Sequence, residues 1–258
     1  RPPGLATISC RMDRRASAAR PYRPTTRVGA WHRKGELVMK IIVLGDLHGE
    51  FQRLNCLIEQ EQPDIILQVG DFGYWPRVED QDLSVINSDH TRIYFCDGNN
   101  DDLDCLLALV GTKRQAVQLC PNIYYMPRGS VLELDDGRRV LFMGGAQSID
   151  RYRRYEGWDW FPEEIICEQE LSYLPEGKVD IVVSHTCPLE FPMENFCRLR
   201  SPAIDPSRQY LSRILNKYQP AQWYFGHWHI HAQGQHGSTR WEALSWSMQW
   251  SHWYRVLP

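Results

Sequence analysis

The sequence lacks the features that define several common classes of protein. Its 258 residues contain no run of eighteen apolar residues, so we predict no membrane span. Eight cysteines are present but none forms a C-x-x-C pair, which argues against a zinc-finger module or a thioredoxin-type redox motif. Neither a Cys-x5-Arg loop nor a G-x-S-x-G motif occurs, so the sequence offers no familiar covalent nucleophile.

The sequence also lacks a strong charge of either sign. The formal net charge is -3 at pH 7, so nothing global indicates nucleic acid or an anionic membrane as a partner. Several cysteines lie in apolar runs, such as Cys96 in IYFC, and we expect buried free thiols in a reducing compartment. We therefore expect a cytoplasmic protein, and the composition leaves its oligomeric state open.

Residues 1–38 differ from the rest of the chain. They hold eight Arg and one Lys against one Asp and one Glu, and they show no apolar periodicity. Three interpretations are open: a disordered basic tail, an Arg-rich organelle leader, or translated sequence upstream of a start at Met39. We favour the last because Met39 directly precedes a strong strand. In each case we expect no contribution to the core, and a tail that binds nucleic acid remains an alternative.

From Met39 onward short apolar strands alternate with helices, and we treat residues 39–258 as one domain. Continuous apolar runs such as IIVLGD and IILQVGD are typical of strands buried on both faces. Strand–helix–strand repetition predicts right-handed crossovers and a largely parallel sheet. An Asp-Asp-Gly turn predicts a hairpin within residues 123–146, and Pro162 followed by two Glu predicts a helix over residues 162–174.

Aromatic residues are abundant, with ten Trp and twelve Tyr. They concentrate in the last third of the chain, where Trp241, Trp246, Trp250 and Trp253 lie close together in sequence. We favour a role in core packing. The alternative is a wall on which a base or an aromatic leaving group stacks.

A short polar cluster follows each of five predicted strands. The clusters are GDLHG (45–49), GDFG (70–73), GNND (98–101), SHT (184–186) and GHWH (226–229). Ligands of open α/β sheets bind outside the carboxyl ends of the strands, so these clusters should converge. Carboxylates, an amide oxygen and four imidazoles suit Mn, Fe, Zn, Co or Ni better than Ca. The i, i+2 spacings of Asp46 with His48 and of His227 with His229 let each pair face one site.

In this order, D-x-H, G-D, G-N-x-D, a strand-end His and G-H-x-H resemble the motifs of the calcineurin-like metallophosphoesterases, from about Met39 to about Trp246. The resemblance implies an α/β fold, a two-sheet β-sandwich flanked by α-helices, with a dinuclear metal site at the strand ends. It implies that one metal ion is held by Asp46, His48, Asp71 and His229, and the other by Asp71, Asn99, His185 and His227. The implied cofactors are two divalent or trivalent transition metal ions, with Mn as the first choice and Fe, Zn, Ni or Co as alternatives.

The implied activity is hydrolysis of phosphate esters by a hydroxide that bridges the metal ions. One position departs from the family pattern: Asn100 stands where a His usually protonates the leaving oxygen, and Asn cannot act as an acid. A positioned acid contributes about 10²–10⁴-fold to rate. We therefore expect phosphodiesters or activated phosphomonoesters as substrates. Candidate proton donors are His48, Asp101 or a residue of an unassigned insert. Asp71 and Asn100 are further candidate catalytic residues.

The segment from Gly144 to Trp160 contains the run Arg151, Tyr152, Arg153, Arg154. Arginine clusters recognise phosphate through their fork geometry. One interpretation is that Arg151, Arg153 and Arg154, together with Asn99 and Asn100, bind the substrate. The other is an ordinary solvated loop with salt bridges.

Two other function classes remain open on the same fold. One is a serine/threonine-type protein phosphatase or a nuclease, although the core shows no basic stripe that would favour nucleic acid. The other is a catalytically silent scaffold that binds partners. A complete ligand set argues against the scaffold.

Overall fold

The computed structural model describes residues 39–77, 81–111, 114–196, 205–249 and 251–258. Our expectations for residues 1–38 lie outside these ranges. Contacts group Met39–Pro258 into one compact unit. Across the described ranges no helix is long and apolar enough to cross a membrane.

Two sheets form the centre of this unit. The strands are β1 (Ile41–Leu44), β2 (Ile65–Gln68), β3 (Arg92–Phe95), β4 (Val117–Cys120), β5 (Ile123–Tyr125), β6 (Val131–Glu133), β7 (Arg139–Met143), β8 (Ile181–Ser184), β9 (Gln222–Phe225), β10 (Ala232–His236), β11 (Thr239–Ala243) and β12 (Tyr254–Val256). The first sheet has the order β12-β1-β2-β3-β5-β4, and the second β10-β11-β9-β8-β7-β6.

Each sheet is parallel in its centre and antiparallel at both edges. In the first sheet β1, β2, β3 and β5 are parallel, while β12 and β4 pair antiparallel. In the second sheet β7, β8, β9 and β11 are parallel, while β6 and β10 pair antiparallel. The parallel strands are almost wholly buried, in keeping with their continuous apolar sequences.

Helices cover the outer faces of the two sheets. They are α1 (Phe51–Glu61), α2 (Leu103–Leu109) and α3 (Ser207–Tyr218). The core between the sheets contains Val43, Leu67, Phe142 and Val183. Two further clusters fill the outer faces. One joins Leu54 and Leu106 to Ile66 and Phe95, and the other joins Leu211 and Ile214 to Val182 and Trp223. This layering confirms the predicted two-sheet sandwich flanked by helices.

The hairpin prediction is correct for β6 and β7, and Gly137 adopts φ +83° in the turn between them. The predicted helix over residues 162–174 is wrong, because two short 3-10 helices, Pro162–Glu164 and Glu168–Tyr173, stand there instead. Arg128 accounts for the break. Its Nη2 donates to the carbonyl oxygens of Glu163 and Glu164 at 2.9 and 3.2 Å, and a continuing α-helix would need both acceptors.

The cysteine prediction holds in part. Cys96 and Cys187 are buried free thiols, whereas Cys56 and Cys167 are free but exposed. The prediction for cysteines in apolar runs is therefore confirmed at Cys96, while Cys56 lies on the solvent side of α1.

Candidate metal centre

The polar clusters predicted from the sequence lie where the carboxyl ends of the two sheets meet. Asp46 and His48 follow β1, Asp71 follows β2, Asn99 follows β3, His185 follows β8, and His227 and His229 follow β9. Side chains from opposite sheets are in contact: His229 Nε2 is 3.1 Å from Asp46 Oδ2, and His185 Nε2 is 3.2 Å from Asp71 Oδ1. The parallel topology therefore brings residues that are far apart in sequence to one place.

Asp46, His48, Asp71 and His229 form one cluster, in which one ligand atom from each lies within 4.8 Å of the others. His48 Nε2 is 2.9 Å from His229 Nε2 and 3.7 Å from Asp71 Oδ2. Two carboxylate oxygens and two imidazole nitrogens are the donors that Mn, Fe, Co, Ni or Zn accept. The chemistry of this donor set therefore fits a transition metal ion.

Asp71, Asn99 and His185 also lie close together, and His227 lies beside His185. His185 Nε2 is 3.0 Å from Asn99 Oδ1, and the ring of His227 lies 5.0 Å from that of His185. His185 Nδ1 is 3.1 Å from the carbonyl oxygen of Val69, an acceptor that leaves Nε2 directed at Asp71 and Asn99. This second donor set again combines carboxylate, amide oxygen and imidazole.

Asp71 lies between the two donor sets. Its Oδ2 faces His48, and its Oδ1 faces His185. Burial acts to raise the pKa of Asp71, but the neighbouring histidines, His185 foremost, outweigh burial and hold the pKa well below its usual range. Burial acts to lower the pKa of His185, but the charge of Asp71 raises it to about 10. Asp71 is thus held as a carboxylate with one oxygen toward each set.

The backbone at the site is unusual. Four of the predicted ligands have a backbone φ between +52° and +66°, a region that residues other than glycine seldom adopt. They are His48, Asp71, His227 and His229. Such conformations cost about 1–3 kcal/mol each and persist only where surrounding structure enforces them. Their concentration in one place is typical of a functional site.

Glycines let the backbone approach the carboxylates. A Cβ atom on Gly98 would overlap with Asp71 Oδ1, and one on Gly226 would overlap with Asp46 Oδ1. The amide of His227 donates to both oxygens of Asp46, at 3.1 and 3.0 Å. The flanking glycines seen in the sequence are therefore required by space as well as by conformation.

Trp246 is a residue of the site that sequence reasoning did not single out. Its ring stacks on His229 with centroids 5.0 Å apart and planes 8° apart, and it meets His48 edge-on at 5.9 Å. Trp246 belongs to the group of late aromatic residues for which core packing was the favoured prediction. No periodicity in the sequence indicates which of the closing tryptophans would reach the strand ends.

Asn100 and Asp101 lie at the site in different ways. The backbone N–H of Asn100 donates to Asp71 Oδ1 at 2.7 Å, and the side-chain Nδ2 of Asn100 is 2.9 Å from His48 Nδ1. Asp101 is fully buried, and its oxygens accept backbone N–H groups of Gly73, Tyr74 and Gly98 at 2.8–2.9 Å. Burial, then the charge of Asp71, raises the pKa of Asp101 to about 7. This geometry favours a loop-joining role for Asp101, and its role as a proton donor stays a prediction.

The predicted arginine cluster divides into two parts. Arg154 reaches the site: its Nη1 donates to the carbonyl oxygen of Asn99 at 3.0 Å, and its Nε pairs with Asp150 at 2.8 Å. Arg151 and Arg153 are exposed on a 3-10 helix, where Arg153 lies over the ring of Tyr152. Arg154 is therefore largely committed to the protein, while the other two face solvent.

Comparisons with known proteins agree with this geometry. A profile described as calcineurin-like phosphoesterase matches residues 39–231. The lariat debranching enzyme of Schizosaccharomyces pombe is 25% identical over 224 residues, which cover 74% of this chain. Those residues cover 48% of the relative, so the chain spans about half the length of that protein.

Among solved structures, the phosphopantetheinyl hydrolase of Mycobacterium tuberculosis has a similar fold. It superposes with a TM-score of 0.50 at 13% identity, covering 84% of this chain and 95% of its own. The family match confirms the resemblance to metallophosphoesterases found in the sequence. The chain belongs to the calcineurin-like phosphoesterase family.

Proposed function

We propose that this protein hydrolyses phosphodiesters or activated phosphomonoesters at a centre of two metal ions bridged by Asp71. The observation that carries the proposal is the placement of Asp71, whose Oδ2 lies 3.7 Å from His48 Nε2 and whose Oδ1 lies 3.2 Å from His185 Nε2. Members of the family use two divalent metal ions. A single carboxylate that faces two separate donor sets supports the same arrangement here.

The residues that would hold the metal ions are those of the two donor sets. One set comprises Asp46, His48, Asp71 and His229, and the other Asp71, Asn99, His185 and His227. We infer Mn as the first choice, with Fe, Zn, Ni or Co as alternatives. When bound, such ions supply Lewis-acid activation of water and neutralise charge on the phosphoryl oxygens.

The chain itself orients these groups. The carbonyl oxygen of Val69 lies at hydrogen-bond distance from Nδ1 of His185 and orients that ring. The backbone N–H of His227 donates to the carboxylate of Asp46. Arg154 binds the carbonyl of Asn99 and so fixes the loop that carries this side chain. Each contact restricts a metal-binding side chain before the metal ion binds, so less conformational freedom is lost on binding. The site is preorganised in this sense.

The substrate's phosphate is bound, in this proposal, by the exposed Arg151 and Arg153, which directly precede Arg154 in the chain. Neither has a carboxylate partner among the contacts of the described residues, so both are available to an anion. Arg154 takes part in substrate binding only indirectly, through Asn99. The absence of an acid at Asn100 limits the enzyme to leaving groups that depart readily, or requires a proton from His48 or Asp101.

A second candidate is a nuclease acting on lariats, which the relative named lariat debranching enzyme favours. A protein phosphatase is less favoured, because unactivated phosphoserine esters need the acid that Asn100 does not provide. The catalytically silent scaffold stays as an outcome of the test below.

The proposal is tested by a panel of mono- and diesters, with a lariat RNA included, assayed with Mn, Ni, Co, Zn and Mg in turn. We expect turnover of activated diesters with a transition metal and loss of most activity in Asp71→Asn. Asp135→Asn is the matched control, because Asp135 is exposed on the hairpin turn. If wild-type protein binds no metal and hydrolyses no ester, the proposal is wrong and the scaffold is favoured.

A further inference from the structure

Asn100 contacts two of the predicted metal ligands at once. Its backbone N–H donates to Asp71 Oδ1 at 2.7 Å, and its side-chain Nδ2 is 2.9 Å from His48 Nδ1. The three residues lie in loops that follow β3, β2 and β1, respectively. Asn100 therefore joins three strand ends, and its side chain lies behind the imidazole of His48 rather than in front of the donor sets.

The other side of the His48 ring faces the donor atoms. His48 Nε2 is 2.9 Å from His229 Nε2 and 3.7 Å from Asp71 Oδ2. A neutral imidazole that gives the lone pair of Nε2 to a cation carries its proton on Nδ1. That N–H then needs an acceptor, and the group at hydrogen-bond distance is the amide of Asn100.

An asparagine can serve either tautomer of the ring. As placed, Nδ2 of Asn100 faces Nδ1 of His48, which suits a ring protonated on Nε2. Rotating the side-chain amide of Asn100 by half a turn places Oδ1 where Nδ2 was. Oδ1 then accepts a hydrogen bond from the Nδ1–H of His48. The exchange needs no movement of the backbone, so the hydrogen bond from Asn100 to Asp71 is kept.

We propose that Asn100 is a positioning residue of His48, whose amide oxygen accepts the Nδ1–H and directs Nε2 toward the metal centre. The inference rests on the proposed function, because it takes His48 as a ligand. Asn100 then serves to orient a metal ligand and does not contact the leaving group of the substrate. Partners of metal-bound histidines commonly contribute 10- to 100-fold to metal affinity.

His48 has few other constraints. Its backbone has φ +52°, and about a fifth of its side chain is exposed. Trp246 meets the His48 ring edge-on and limits the tilt of that ring, but it offers no hydrogen-bond acceptor to Nδ1. Within the described part of the chain, Asn100 is the hydrogen-bond partner of Nδ1. The tautomer of His48 therefore depends on this single contact.

The test is titration of the metal-free full chain with Zn²⁺ by calorimetry, with wild type, Asn100→Leu and Asn100→Asp. Leu has a similar volume and no polar atom, while Asp keeps an oxygen acceptor. We expect Asn100→Leu to weaken Zn²⁺ binding about 10- to 100-fold and Asn100→Asp to retain most of the affinity. Asn100→Ala replaces the Leu variant if its melting temperature shows that it does not fold.

Two further readouts separate positioning from a general structural effect. In the Zn²⁺-loaded wild type, NMR should show a protected Nδ1–H resonance that disappears in His48→Ala and in Asn100→Leu. In a double-mutant cycle, Asn100→Leu should have little further effect on Zn²⁺ affinity once His48 is Ala. An equal loss of affinity in both backgrounds would overturn the inference.

The inference and the proposed function fail in different ways. A wild-type protein that binds no Zn²⁺ overturns the proposed function, and this inference with it. If wild type binds metal and hydrolyses esters, while Asn100→Leu alters KM or kcat at unchanged Zn²⁺ affinity, the inference alone is wrong. In that case Asn100 contacts the substrate, as the sequence analysis first suggested.

Discussion

Gly98 lies directly against the carboxylate of Asp71, so close that a single added methyl group would occupy the space of Oδ1. The same glycine donates its N–H to Asp101 Oδ2 at 2.8 Å. The loop after β3 therefore holds the proposed bridging carboxylate in place through its backbone. Position 98 tolerates no side chain unless Asp71 moves.

The first prediction follows from this contact. Gly98→Ala should displace Asp71, destabilise the protein by about 1–3 kcal/mol and reduce both metal binding and hydrolysis. Denaturant unfolding, calorimetry and a diester assay measure the three effects. Gly111→Ala is the matched control, since nothing lies within 4 Å of the added methyl there, and we expect a change within about 0.5 kcal/mol. A Gly98→Ala variant that binds metal like the wild type would contradict this account.

The stacking of Trp246 on His229 gives a second prediction. Trp246→Ala should free the His229 ring and weaken metal binding about tenfold, whereas Trp246→Phe should retain most of the affinity because an aromatic face remains. The control is Trp158→Ala, a substitution of a tryptophan that is 58% exposed. Equal affinities for the Ala and Phe variants would show that stacking does not position His229.

A third prediction concerns the leaving group. Because Asn100 carries no acidic proton, the rate should fall steeply as the pKa of the leaving alcohol rises. A series of aryl and alkyl phosphodiesters, assayed at one pH and one metal concentration, measures this dependence. We expect the least acidic alcohols to react about 10²–10⁴-fold more slowly than they would with a positioned acid. A flat dependence would mean that another residue donates the proton.

The exposed arginines give the fourth prediction. If Arg151 and Arg153 bind the substrate's phosphate, Arg151→Gln and Arg153→Gln should raise KM with little change in kcat. Arg240→Gln controls for loss of a positive charge elsewhere, since Arg240 is exposed on β11 of the second sheet. Unchanged KM in both variants would favour the alternative of an ordinary solvated loop.

Much of the fold could be predicted because β1 and β2 are continuous apolar runs followed by Gly-Asp, and β9 is followed by Gly-His. The same pattern indicated Asp46, Asp71 and His227, since a buried parallel strand presents its next polar residue at one sheet edge. The run from Pro206 to Tyr218 in the sequence also predicts a helix, and α3 spans Ser207–Tyr218.

Other features depend on contacts that the sequence does not encode locally. Strand β12 has three residues, and its pairing with β1 joins positions about two hundred residues apart, so neither its length nor a turn indicated it. Helix α2 begins after Asp102, whose side chain accepts from the backbone amide of Cys105. Asp102 is thus an N-cap, a signal that the sequence-based prediction did not include. The orientation of Asn100 toward His48 required the meeting of two loops.

The central claim is that Asp71 bridges two metal ions, and crystals of the protein soaked in Mn²⁺ test it most directly. Anomalous difference density should show two peaks, one beside Asp71 Oδ2 among Asp46, His48 and His229, and one beside Oδ1 among Asn99, His185 and His227. A single peak, or a peak that does not contact Asp71, would contradict the account.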